Sequence, residues 1–125
     1  MDFPTDVFSI DTNDINRGIV FLAVDYTVEF SNEKFATMMG LSRSEVHGMD
    51  LSKHIQQDDW ANIKLFVWQF YENHIHEYKT MLTMYRKDGT LIYAQAEYHR
   101  LLNNDEEVIY KVIVFTEMTE TEYNS

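Results

Sequence analysis

His74 and His76 stand two residues apart, and Glu97 and His99 repeat that spacing further along. If both pairs lie in strands, each shows its two side chains on one face, and imidazoles with a carboxylate are a ligand set for zinc. Spacing alone does not fix a tetrahedron, and histidines on an acidic surface give the same pattern. We expect that plainer reading, with no metal bound. Other chemistry has less to work with. The 125 residues include no cysteine. That removes disulfides, thiolate metal sites, thiol nucleophiles and any cofactor held through sulfur. There is no Gly-x-Ser-x-Gly nucleophile turn. The four glycines are isolated, so no loop can cradle phosphate. On the strand faces laid out below, Thr80 and Tyr98 are the only inward polar candidates. Neither is the carboxylate or histidine that general-base catalysis needs. The chain is therefore not expected to be an enzyme. Its net charge of −11, from ten basic and twenty-one acidic side chains, repels phosphate backbones and anionic lipid. Neither nucleic acid nor a membrane is an expected partner.

The length suits one domain, with 45% apolar and 14% aromatic residues to fill a core. No run reaches the roughly 18 apolar residues of a membrane span. Met1-Asp2-Phe3-Pro4-Thr5-Asp6 lacks the basic and apolar regions of a signal peptide. A cytoplasmic location is expected. Residues 1–17, with sparse apolar positions at Val7, Phe8, Ile10 and Ile15, read as a short helix or cap. Ile19 to Val24 is a continuous apolar run, a buried strand. A turn at Asp25-Tyr26 leads to a second strand, Thr27 to Phe30, completing a hairpin. Ser31 and Asn32 are cap residues for a helix carrying Phe35, Met38 and Met39 and ending at Gly40. Ser42 with Glu45 is a capping box for another short helix, and a further helical turn fits Leu51 to Gln56. Asp58 or Asp59 caps the longest helix, about Trp60 to Asn73. Trp60, Ile63, Phe66, Val67, Phe70 and Tyr71 share one arc of it, with Leu65 and Trp68 outside. Three strands follow: Tyr78 to Arg86, Leu91 to Leu101 after an Asp88-Gly89 hairpin turn, and Val108 to Thr116. The sum is an α+β fold, a five-stranded antiparallel sheet with helices packed on one face.

This order resembles the PAS domain, a family of sensory modules, over about Gly18 to Glu120. The pieces that carry it are Thr27-Val28-Glu29-Phe30-Ser31-Asn32-Glu33-Lys34-Phe35, Met39-Gly40-Leu41-Ser42, Ser44-Glu45-Val46-His47-Gly48-Met49, Gln57-Asp58-Asp59, Arg86-Lys87-Asp88-Gly89-Thr90 and Thr116-Glu117-Met118-Thr119-Glu120. In the last piece Glu117 and Met118 stand where the family usually has Asp and Ile. The family hands its signal through that segment to a C-terminal helix and an effector. With few residues after it, residues 121–125 read as the start of a linker and the chain as an excised sensor, residues 18–120.

The resemblance implies a pocket between sheet and long helix, and strand alternation assigns its lining. Leu22 and Val24 point in from the first strand, Leu82 and Met84 from the third. Ala94, Ala96 and Tyr98 point in from the fourth, Ile113 and Phe115 from the fifth. Met39, Ile63, Phe66, Val67 and Phe70 face them from the helices. Two alanines on an inward face leave volume for a small, mostly apolar ligand. In the alternative, Phe66, Phe70 and Phe115 fill that volume. Haem-binding members resemble one another in an axial histidine on the long helix. Here the mid-helix residues are Trp60, Ile63 and Phe66, and His74 stands only at its end, so haem is not expected. Photoactive flavin members carry a Gly-Arg-Asn-Cys motif where this chain has Met49-Asp50-Leu51. Adduct-forming flavin and a coumaroyl thioester are both excluded. Three readings stand: a ligand- or partner-sensing module feeding an effector such as a histidine kinase or diguanylate cyclase; a ligand-free homodimerisation or protein-interaction module, with Val7, Ile10 and Ile15 as the contact and Trp68 as a further candidate; and, remotely, a ketosteroid-isomerase-like enzyme.

Overall fold

The structure, a computed structural model, describes residues 11–68 and 78–125. Of the expected N-terminal cap, residues 1–10, with Val7 and Ile10, lie outside the described residues. Residues 11–17 form turns in which the Asp11 and Asp14 carboxylates accept bonds from Asn13, Asn16 and Arg17 backbone N–H groups. Gly18–Leu22 is strand β1 and Val28–Ser31 is β2. All five residues of β1 are buried. A side chain at Gly18 would meet Met38 Sδ at 2.9 Å and Phe35 Cα at 3.1 Å, so glycine there lets the first helix lie close.

The hairpin corrects one inward assignment. β1 ends at Leu22, and the chain turns over residues 23–27, with Tyr26 N–H donating to Ala23 O and Ala23 N–H to Thr27 O. Tyr26 takes φ 69°, and the Asp25 carboxylate accepts from Thr27 N–H and hydroxyl. Val24 therefore sits at the tip of the turn, 75% exposed, and lines nothing.

Helix α1, Glu33–Met39, starts at Asn32 and ends at Gly40, whose φ of 70° supplies the left-handed cap. Helix α2, Arg43–Val46, begins with the Ser42–Glu45 capping box. A 3-10 turn over Leu51–His54 precedes α3, Gln57–Asn62, which continues as a π-helical segment over Ile63–Trp68. The expected single α-helix from Trp60 thus starts earlier, at Gln57, and changes its winding at Ile63; its expected end, residues 69–73, lies outside the described residues. Gln56, not Asp58 or Asp59, caps it by accepting from Asp59 N–H. Asp59 instead accepts from Thr83 N–H at 2.9 Å, tying α3 to the sheet. Phe70, Tyr71, His74 and His76 lie outside the described residues, and for Phe66, Val67 and Trp68 only the backbone is described.

Strands β3 (Tyr78–Tyr85), β4 (Leu91–Leu102) and β5 (Val108–Met118) complete the sheet, and a short α4 follows at Glu120–Asn124. Gly89 takes φ 86° in the β3–β4 turn. The sheet order is β2-β1-β5-β4-β3, antiparallel throughout. Its inner face packs on the helices through a cluster that includes Leu22, Phe35, Met39, Ile63, Leu82, Met84, Ala94, Ala96, Tyr98, Ile113 and Phe115. The outer face adds a second buried cluster, Ile19, Phe21, Leu101, Val112 and Val114. The runs 19–22 and 112–115 are apolar without alternation because both of their faces are buried.

Candidate functional site

Cross-strand register sets the inner face in rungs. Thr80 stands beside Ala96 and Ala96 beside Phe115; Leu82 stands beside Ala94 and Ala94 beside Glu117; Tyr98 stands beside Ile113. Ala94, Ala96, Tyr98, Ile113 and Phe115 are fully buried. From the helical side, the Phe35 ring meets the Phe115 ring at 5.3 Å between centroids, and Met39 and Ile63 are buried in the same cluster. Tyr98 OH and Thr80 Oγ1 lie 2.6 Å apart, one polar pair on an otherwise apolar wall. Ala94 and Ala96, two methyl-sized side chains, stand next to that pair on the inner face of β4.

The wall ends in a set of ions that sequence reasoning did not single out. Glu117, the rung neighbour of Ala94, reaches Lys34 of α1 at 3.4 Å and Arg86 after β3 at 3.5 Å. Arg86 also donates from Nε to Met38 O and from Nη1 to Leu91 O. One carboxylate thus joins the last strand, the first helix and the β3–β4 turn. Two residues on, Thr119 caps α4 through a reciprocal box with Glu122. That bond holds the Glu122 carboxyl below its ordinary value, because the Thr119 backbone N–H donates to the charged form. Tyr123 of α4 lies on the outer face, its ring 4.8 Å from Tyr93.

Asn32, expected as a cap, does more. Its Oδ1 accepts from Phe35 N–H at 3.0 Å and from Ile19 N–H at 2.9 Å. Its Nδ2 donates to Arg17 O at 2.8 Å and Asp14 O at 3.2 Å. A surface groove of about 490 Å³ runs beside it, with Lys34 and Arg43 in its lining. Those cations are already engaged, Lys34 with Glu117 and Arg43 with Ser31 O and the Phe30 ring. The zinc quartet is not assembled from the described residues: Glu97 and His99 bond each other at 3.1 Å, Arg17 approaches Glu97, and no metal-ligand cluster occurs among the described residues.

A five-stranded antiparallel sheet in this order, closed by helices over an apolar inner face, defines a small α+β class in which the last strand is central. Residues 16–120 match the family model described as PAS domain, and the chain belongs to that family. Three solved structures show the same fold. A PAS domain from Colwellia psychrerythraea aligns with TM-score 0.77 at 16% identity, covering 87% of this chain and 92% of that one. The PAS domain of a LuxR-family transcriptional regulator from Burkholderia thailandensis, in complex with ethanol, aligns at 0.69 and 18%, covering 87% and 98%. The PAS domain of a two-component sensor histidine kinase aligns at 0.66 and 14%, covering 86% and 88%. At such identities the likeness is one of fold. No curated protein sequence matches the chain. PAS domains are sensory and regulatory modules, and this chain is one at that level of description. No helix among the described residues is long and apolar enough to cross a membrane.

Proposed function

We propose that this domain, residues 18–120, binds a small, mostly apolar molecule against the inner face of β4 and passes the change through β5. The output is an effector domain joined after residue 120, of the histidine kinase or diguanylate cyclase kind. One observation carries the reading: Ala94, one of the two inward alanines of β4, shares its rung with Glu117, the carboxylate that joins β5 to α1 and Arg86. A ligand that moves the β4–β5 pair by a fraction of an ångström alters that ion set and the α4 cap beyond it. Differential contacts in two arrangements are what let a ligand shift a population. The ethanol complex of the Burkholderia regulator and the kinase origin of another neighbour support the same reading. The domain turns over no substrate and carries no haem or adduct-forming flavin; the purified protein has no Soret or flavin band, and either band would sink that part of the proposal.

Native mass spectrometry of freshly purified protein, with Ala96→Leu alongside, tests the core of it. Wild type carries added mass that Ala96→Leu loses, with unfolding free energy changed by less than about 1 kcal/mol. A loss of about 1–3 kcal/mol marks an inner face already filled and tells against the reading. A bare dimer favours a second one. Tyr85 and Leu91 are cross-strand neighbours near the β3 edge, and with Met81 they are exposed on the outer face, an apolar surface a homodimer could cover.

A further inference from the structure

We propose that Tyr93 and Tyr123 form an oxidative coupling site, where a one-electron oxidant joins the two rings and fixes α4 to the outer face of β4. This goes beyond the small-ligand reading and stands whether or not the inner face takes a ligand. The two rings lie 4.8 Å apart between centroids, tilted by 39°. They come from distant parts of the chain, the start of β4 and the end of α4. The sheet explains why they meet. Tyr93 pairs with Thr83 of β3 on one side and with Met118 of β5 on the other. Thr119 caps α4 directly after β5, and the helix returns over that rung. The Tyr123 hydroxyl accepts from Thr83 Oγ1 at 3.3 Å. Tyr123 is thus bonded to one member of the rung and stacked on the other.

The surroundings favour coupling at this pair. The chain has no cysteine, so an oxidant meets no thiol. Tyr93 and Tyr123 are half-buried and reachable from water, whereas Tyr98 is fully buried. Tyr26 stacks on Trp60, and exposed Tyr85 has no ring beside it among the described residues. Met81, also exposed, competes for oxidant, but its product is a sulfoxide and not a cross-link. Helix α4 is five residues long and has no buried residue. A segment so lightly held can make the small shift that bond formation needs.

Each ring gives one electron to the oxidant and its hydroxyl proton to water. The two phenoxyl radicals pair their odd electrons in a carbon–carbon bond between positions ortho to the oxygens. Each of those carbons then loses its hydrogen as a proton while the ring oxygen takes one up, which restores two phenols. The net loss is two electrons and two protons. With a haem peroxidase as catalyst, hydrogen peroxide takes up both and becomes two waters. Because the rings are already in contact, coupling within one chain outruns coupling between dilute chains. Reductants do not open the new bond, so α4 is locked rather than switched.

The full chain at low micromolar concentration, treated with a haem peroxidase and hydrogen peroxide, tests this. Wild type should gain the blue fluorescence of dityrosine in a species of monomer mass. Its tryptic peptides 88–100 and 112–125 should be joined and lighter by two hydrogen atoms. That product should exceed any other tyrosine cross-link by about tenfold, and amide exchange in Glu120–Asn124 should slow by about tenfold. Tyr93→Phe and Tyr123→Phe should each abolish the joined peptides; if either variant does not fold, the wild-type peptide map decides alone. Thr83→Val keeps both phenols and removes the hydroxyl bond, and should lower the yield. Cross-links between chains only, another tyrosine pair joined as readily, or sulfoxide at Met81 without dityrosine overturns the site. Coupling that leaves exchange in Glu120–Asn124 unchanged overturns the lock.

Discussion

The two ends of the domain are fastened differently. At the N-terminal end, Asn32 is 3% exposed, and its amide makes four hydrogen bonds that join the 14–17 turn, β1 and α1. At the C-terminal end, Glu117 is 37% exposed, and its two ion pairs are long, at 3.4 and 3.5 Å. Buried, fully satisfied amides cost much to break because every orphaned partner loses both its bond and its access to water. Exposed ion pairs contribute little because water and salt screen them. The first end is thus an anchor and the second an adjustable latch, the division a module needs if it is to keep its fold while changing its output.

Asn32→Ala should show the largest effect. A plain helix cap is worth about 0.5–2 kcal/mol, but this side chain also serves Ile19, Asp14 and Arg17, so a loss of about 2–4 kcal/mol in denaturant unfolding is expected. A value under about 1 kcal/mol would remove the anchor from the comparison. Gly18→Ala comes next, because its Cβ would press on Met38 and on the backbone of Phe35. About 1–3 kcal/mol is expected; an unchanged midpoint would mean that α1 yields more easily than an anchor should. Arg86→Ala removes two carbonyl bonds and one latch ion pair, for about 1 kcal/mol. Its sharper signature is faster amide exchange in Glu120–Asn124 with β1 unaffected, and equal change at both ends would break the contrast.

Acid gives the smallest and most local effect. The Glu122 carboxyl is held below its ordinary value by the Thr119 backbone N–H and hydroxyl. A depressed carboxylate stabilises above its unfolded pKa, and that contribution is lost as pH falls through the lower folded value. The α4 cap is therefore intact from neutral pH down to the ordinary carboxylate range and frays below it. Asp14 is also depressed, chiefly by the Arg17 side chain, yet Asn32 uses the Asp14 backbone carbonyl, which does not titrate. Amide exchange measured stepwise below pH 5 should show residues 120–124 opening before Ile19 and Phe35; the reverse order would invert anchor and latch.

Much of this was legible in local chemistry. The Asn32 cap, the Ser42–Glu45 box and the Asp88-Gly89 turn each depend on a few adjacent residues, and alternation placed Leu82, Met84, Ala94, Ala96 and Tyr98 on one buried face. The failures are non-local or conformational. Val24 looked like a strand residue because an apolar side chain at a turn tip carries no signal, and Tyr26 at φ 69° is not a residue one would choose for a left-handed position. The π-helical segment at Ile63–Trp68 departs from the α-helical period of 100° per residue, and nothing in its residue types marks the change. Asn32 reaches partners 13 to 18 residues away, beyond any capping rule.

The place of β5 between β1 and β4 has a consequence for how the chain is made. During synthesis the β1–β2 and β3–β4 hairpins emerge first and have no common partner. Only when Val108–Met118 is available can it bridge them, pairing Phe115 with Gly18 across nearly the whole sequence. Such non-local closure is slow, because loop entropy is lost before the contacts that reward it form. A nascent chain, or one truncated before Val108, exposes the bare edges of β1 and β4, where unpaired backbone invites another strand. Solubility during expression thus depends on the last strand more than on any other, and mutations that weaken β5 should show as aggregation before they show as lost stability.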